Sequence, residues 1–183
     1  MGSEASAGAA GAAAEPMGGQ GLAGNASVAV DAAVLASSYV AGDAIEWAHD
    51  DTYCMSVEGN TFKNGQKLQL WQCADGLGQF FQYDGDAGAG VLIRAAAASA
   101  FCVVIDGNSG KNGAEIQLWQ CDPQAQVQRW IPQGCGMQCP FVTLRNAAFQ
   151  DKCLVVDANV GKNGNKLQLW DCQGSDELKQ WYS

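Results

Sequence analysis

The chain has 183 residues, with 19 acidic residues against 10 basic ones and a formal charge of -9. That length suits one ordinary domain with a tail. The charge and the absence of any Lys/Arg cluster argue against nucleic acid and anionic membranes, which both need a concentrated basic surface. They also disfavour a polyanionic ligand and leave neutral sugars open.

Residues 2–14 are mostly Ala, Gly and Ser, without the basic start and apolar run of a secretory signal. Met1-Gly2-Ser3-Glu4-Ala5-Ser6 formally matches a myristoylation start, and Asn25-Ala26-Ser27 a glycosylation sequon. Val28–Val40 is mildly apolar, but it is short and broken by Asp31, so no membrane span is expected. Aromatic residues are nearly absent before residue 43, Tyr39 being the exception. Such a segment cannot bury enough apolar surface to offset its ordering entropy. Residues 1–42 are therefore expected to be a disordered or low-complexity Ala/Gly-rich tail, with a short helix around Ala29–Tyr39. A fragment that has lost its true N-terminus is an equal reading of this start.

From residue 43 the sequence repeats. Cys54–Cys73, Cys102–Cys121 and Cys153–Cys172 align without a gap, each pair 19 positions apart (73−54, 121−102, 172−153). The units start 48 and 51 residues apart (102−54, 153−102), and repetition of this kind governs the fold. Each unit reads as a hairpin. Its first strand covers Cys54–Val57, Cys102–Ile105 or Cys153–Val156; its second covers Lys67–Gln72, Glu115–Gln120 or Lys166–Asp171. Lys-Asn-Gly sits between them at 63–65, 111–113 and 162–164, and Asn-Gly tolerates the positive φ of tight turns. A strand precedes each hairpin (Ile45–Trp47, Val91–Arg94, Val142–Arg145) and another follows it (Gln79–Tyr83, Gln128–Ile131, Gln180–Tyr182). About twelve short strands result, in repeats of about 43–87, 88–135 and 139–183. The fold class is all-β, with no helix longer than a turn or two after residue 43.

Eight cysteines allow 105 pairings by count alone. Equal spacing implies equal geometry, and cysteines on neighbouring strands of a hairpin reach bridging distance. The expected bridges are Cys54–Cys73, Cys102–Cys121 and Cys153–Cys172. Cys135 and Cys139 are left for a small local loop, with a redox role as the alternative. Paired cysteines place the chain in the secretory pathway or outside the cell, although no signal peptide is visible. With one histidine, His49, and no C-x2-C pair, neither a metal nor a cofactor is expected.

Three runs carry a family resemblance: Gln69-Leu-Trp-Gln-Cys73, Gln117-Leu-Trp-Gln-Cys121 and Gln168-Leu-Trp-Asp-Cys172. They are joined by closing motifs Gln79-Phe-Phe81, Gln128-Arg-Trp130 and Lys179-Gln-Trp181. The chain resembles the ricin-type β-trefoil lectins, the Q-x-W repeat family, over residues 43–183. The resemblance implies a six-stranded barrel capped by three hairpins with pseudo-threefold symmetry. It also implies non-catalytic binding of neutral glycans, often galactose-type, with one shallow subsite per repeat. The family's binding aspartate, two residues after the first cysteine, is absent: Ser56, Val104 and Val155 stand there. The polar residue before the closing Gln is replaced by Gly78, Val127 and Leu178.

Alternation supports a subsite independently. Leu68 and Leu70 point one way; Gln69 and Trp71 point the other, with Cys73. An indole offers a flat apolar platform for a pyranose, and a Gln amide both donates and accepts. The carbohydrate-binding candidates are Asp106, Gln117, Trp119 and Gln128; Glu58, Gln69, Trp71 and Gln79; and Asp157, Gln168 and Trp170. The carboxylates Glu58, Asp106 and Asp157 lie four residues after each first cysteine. They either replace the missing aspartate or shape the turn that leaves the strand. Lys179 should alter or abolish the third site. Phe81, Trp130 and Trp181 are expected in the core. The leading expectation is a carbohydrate-binding module, free or part of a larger secreted protein. The alternative is a trefoil without sugar sites that serves as a structural or protein-interaction module. An enzyme ranks third, because the acids form no recognisable pair.

Overall fold

The computed structural model describes residues 42–134, 141–173 and 179–182, all within the unit spanning Asp31–Ser183. The expected tail, apart from Gly42, its short helix, the Cys135–Cys139 loop and Leu178 lie outside the described residues. The described part is all-β, with 3-10 turns and no α-helix. The first expected strand divides into β1 (Asp43–Ala44) and β2 (Glu46–Trp47). Buried Ile45 separates them, its carbonyl turned to the Met55 N–H at 2.8 Å. The others are β3 (Tyr53–Val57), β4 (Leu68–Gln72), β5 (Phe80–Asp84), β6 (Val91–Ala95), β7 (Phe101–Ile105), β8 (Ile116–Gln120), β9 (Arg129–Gly134), β10 (Phe141–Asn146), β11 (Lys152–Val156), β12 (Asn165–Asp171) and β13 (Gln180–Tyr182). Several strand ends shift by a residue or more from expectation, and two of the shifts have a clear cause. Gln79 and Gln128 end 3-10 turns rather than begin strands, because their N–H groups bond Gly76 O and Ala125 O, each at 3.0 Å.

Antiparallel pairing closes a ring: β1–β5, β5–β6, β6–β9, β9–β10, β10–β13 and β13–β2. With β1 and β2 as halves of one wall strand, this is the six-stranded barrel. Hairpins β3–β4, β7–β8 and β11–β12 cap it, which makes the fold a β-trefoil. Closure leaves the barrel strands no free edge. Inside lie Trp47, Phe81, Trp130 and Trp181, with Leu70, Leu118 and Leu169 from the hairpins, all at most 1 % exposed. A buried indole N–H needs an acceptor. Trp130 Nε1 finds Val103 O at 3.0 Å and Trp181 Nε1 finds Leu154 O at 3.2 Å. Phe81, which has no donor, fills the corresponding place in the first repeat.

The Lys-Asn-Gly segments bind the repeats to one another. Each closes a turn, with Gln66, Ala114 and Asn165 N–H reaching Lys63, Lys111 and Lys162 O at 3.2 Å. Only the glycines take positive φ (Gly65 81°, Gly113 85°, Gly164 79°); the asparagines do not. That is the type II pattern, with glycine at the third position. Each glycine N–H then crosses to another repeat: Gly65 to Leu118 O, Gly113 to Leu169 O and Gly164 to Leu70 O, each at 2.9 Å. Asn64 Oδ1 accepts from Gln120 N–H and Asn163 Oδ1 from Gln72 N–H, both at 2.7 Å. Asn112 instead bonds the Asp171 carboxylate at 2.7 Å and accepts from Lys152 Nζ at 3.0 Å. Turn one thus rests on repeat two, turn two on repeat three and turn three on repeat one.

Candidate functional site

The three expected bridges form, with Cα–Cα distances of 5.0, 5.0 and 5.1 Å. In the register Cys54 opposes Trp71 and Ser56 opposes Gln69; Cys102 opposes Trp119 and Val104 opposes Gln117; Cys153 opposes Trp170 and Val155 opposes Gln168. Directly opposed residues share a sheet face. Every hairpin therefore shows Gln, Trp and the disulfide on its outer face, while its leucines enter the core. Trp71, Trp119 and Trp170 stand out at 41 %, 45 % and 43 % exposure, whereas the other three tryptophans are fully buried.

Beside each exposed indole is a cleft. The first, about 430 Å³, is lined by Glu58, Gln69, Trp71 and Gln79 among others. The second, about 810 Å³, gathers Asp106, Gln117, Trp119 and Gln128. The third, about 430 Å³, gathers Asp157, Gln168, Trp170 and Lys179. All eleven sequence candidates lie on these clefts, each with its own repeat.

The carboxylates stand at sharp 3-10 turns, Glu58–Asn60, Asp106–Asn108 and Asp157–Asn159. Gly59 and Gly107 have φ of 62°, and Ala158 in the third repeat takes φ 50°, a left-handed conformation that an L side chain disfavours. The main-chain carbonyls of Glu58, Asp106 and Asp157 close the turns, accepting from Thr61, Ser109 and Val160 N–H at 3.4 Å, while their side chains line the clefts. Their partners differ. Glu58 Oε2 accepts from Gln66 Nε2 at 3.3 Å. Asp157 Oδ1 accepts from Gln168 Nε2 at 3.1 Å, inside its own cleft. Asp106 reaches across the repeat boundary: its Oδ2 is 2.5 Å from Lys67 Nζ.

Lys67 also meets Glu115 at 3.0 Å, and Glu115 meets Lys166 at 2.7 Å. Hydrogen bonds from Lys166, then Lys67, hold the Glu115 carboxyl below its ordinary value against a smaller opposing effect of burial. Burial pulls Lys67 down, but Asp106 and Glu115 together leave it raised. No sequence pattern announced this chain of charges, which forms only where the three hairpins meet.

The closing glutamines are engaged by backbone. Gln79 Oε1 accepts from Ala74 N–H at 2.7 Å and its Nε2 donates to Gln72 O at 2.9 Å. Gln128 does the same with Asp122 N–H (2.8 Å) and Gln120 O (2.9 Å). Both are buried struts that hold the loop after the second cysteine. Lys179, in the equivalent place, donates to Gln173 O.

The family model for the ricin-type beta-trefoil lectin domain matches residues 44–181. The chain belongs to that family. Among solved structures, the lectin domain is similar to a designed threefold-symmetric protein, ThreeFoil (15% identity, TM-score 0.68, covering 76% of this chain and 94% of that one). It is also similar to the Macrolepiota procera ricin B-like lectin in complex with lactose (15%, 0.61, 76% and 91%). A third similar structure is the C-half of the earthworm R-type lectin in complex with GalNAc (17%, 0.57, 76% and 96%). Identities this low show the fold alone. The chain spans only 16% of a similar mosquitocidal holotoxin and 29% of an exo-beta-1,3-galactanase from Clostridium thermocellum. No curated protein matches it by sequence.

Proposed function

We propose that the lectin domain binds neutral glycans of the galactose type, without catalysis, in the three clefts beside Trp71, Trp119 and Trp170. The observation that carries this reading is the triple recurrence of a half-exposed indole and a carboxylate on one cleft. Each indole is a stacking platform and each Gln amide a donor and acceptor. Glu58, Asp106 and Asp157 supply the charge-assisted acceptor that the family takes from a position occupied here by Ser56, Val104 and Val155. Gln79 and Gln128 act as struts for the cleft wall. His49 packs its ring on Trp47, with centroids 5.0 Å apart, which suits packing rather than proton transfer. The three disulfides fit an extracellular or secretory setting, as a module of a larger secreted protein. No helix among the described residues is long and apolar enough to cross a membrane.

A glycan array followed by calorimetry on the full chain tests the reading. Binding of galactose-type glycans that weakens in Trp119→Ala supports it; no binding at millimolar glycan overturns it. A second reading, a trefoil without sugar sites that docks proteins, is favoured by the Asp106–Lys67 ion pair, which occupies a carboxylate oxygen in the largest cleft. On that reading Trp119→Ala alters stability or partner binding and leaves the array unchanged.

A further inference from the structure

The outer faces of the three repeats end in different charges. The register opposes Glu46 to Cys54, Arg94 to Cys102 and Arg145 to Cys153, and each of these cysteines to its exposed tryptophan. Every indole therefore has an equivalent residue two strands away on the same face, past the disulfide. Two strand spacings are about 10 Å, a distance that two linked sugars bridge. In the second repeat this is one continuous surface, since Arg94 lines the same cleft as Trp119 and Cys121; in the third, Asp157, Gln168, Trp170 and Lys179 line the cleft, and the register places Arg145 beyond its edge.

Arg94 is neutralised. Its Nε and its terminal nitrogen meet Asp84 Oδ2 at 2.8 and 2.7 Å, and another nitrogen donates to Ser99 O at 2.9 Å. Asp84 lies two residues beyond Gln82, which opposes Arg94; two beyond Ile131, which opposes Arg145, stands Gln133. Among the described residues the third repeat thus has an amide in place of the carboxylate that neutralises Arg94. Arg145 keeps a 3.4 Å bond to Gln150 O, and its buried Nε has no partner among the described residues. Among the described residues of the third hairpin, Asp151 and Asp171 meet Lys152, and Asp157 accepts from Gln168.

We propose that the third repeat takes a glycan whose second sugar carries a carboxylate, with Trp170 under the first sugar and the Arg145 guanidinium as counter-ion. This deepens the sugar-binding reading above and rests on it. A guanidinium meets a carboxylate through paired N–H donors, a geometry that uronic and sialic acids offer equally. A single carboxylate fits an acidic protein better than a polyanion does.

Calorimetry on the full chain compares lactose with 3′-sialyllactose and galactobiose with galacturonyl-galactose, whose one carboxylate is on the second sugar, at low and high salt. The expected result is that one acidic ligand binds roughly tenfold tighter than its neutral counterpart, with the gap narrowing in salt. The pair that shows the gap tells sialic from uronic acid. Arg145→Gln and Trp170→Ala should remove the preference, and Trp119→Ala should leave it. Asp84→Asn, which releases Arg94, should create a second acidic preference that Trp119→Ala removes. Equal affinity within both pairs, or a preference that survives Arg145→Gln, overturns the proposal while sugar binding stands. An Asp84→Asn chain with the wild-type profile also overturns it. Binding to none of the four ligands, together with a silent array, overturns both readings.

Discussion

The barrel and its interlocking turns differ from the clefts in how faithfully they keep the threefold repeat. In the first region, equivalent positions carry equivalent jobs: Gly65, Gly113 and Gly164 cross to the next hairpin at one distance, and Trp130 and Trp181 anchor to equivalent carbonyls. In the second, equivalent positions have drifted apart. The carboxylate finds Gln66, Lys67 or Gln168; the closing residue is Gln, Gln or Lys179; the flanking residue is Glu46, Arg94 paired with Asp84, or Arg145 bonded to a backbone carbonyl. The difference teaches that closure constrains all three repeats together, because each turn supports a neighbour, whereas a cleft rim faces solvent and can change alone.

The sharpest break between the regions should come from two tryptophans in one repeat. Trp130→Ala removes a fully buried indole and should cost about 3–5 kcal/mol in denaturant unfolding. Trp119→Ala, at a half-exposed position, should change stability little and abolish glycan binding in the second cleft, read by calorimetry. Similar stability losses in the two variants would erase the distinction.

Asn64→Ala probes the interlock. It leaves the Gln120 N–H without its acceptor and should cost about 1 kcal/mol, by chemical denaturation. Lys67→Met tests the second cleft from its rim. Exposed ion pairs are worth at most about 1 kcal/mol, so releasing Asp106 should raise affinity there by up to about fivefold. A loss of affinity would show that Asp106 needs Lys67 to position it.

The smallest effect is on pH dependence. Glu115 titrates below its ordinary value when folded, so its contribution is present above that ordinary value and lost as pH falls through the depressed one. Lys67 is raised, so its contribution is complete below the ordinary lysine value and lost as pH rises through the raised one. Melting temperature should therefore be flat from about pH 5 to about pH 10 and fall outside that window. Glu115→Gln should soften the acid limb.

Much of the fold was legible because its signals are local and repeated. Cysteine spacing announced the hairpins and their bridges, and Leu68 and Leu70 announced the buried face. Strand edges such as Gln79 were misplaced by one residue, since a 3-10 turn and a strand differ there only by one hydrogen bond to Gly76. Of the candidate sites, the grouping of Gln, Trp and acid by repeat could be read from register alone. The Asn64, Asn112 and Asn163 contacts could have been found from the invariance of Lys-Asn-Gly, a run more constant than a simple turn requires.

The sequence by itself determined a three-repeat all-β fold, its bridges and the faces on which Gln and Trp lie, because strand alternation and equal spacing act within a few residues. Tertiary structure alone decided which partner each carboxylate takes and which arginine meets a carboxylate among the described residues. Asp106 meets Lys67 across 39 positions of chain, and Arg145 has Gln133, not a carboxylate, at the place on the neighbouring strand from which Asp84 meets Arg94. Those outcomes depend on barrel closure bringing distant repeats edge to edge, which no local pattern encodes.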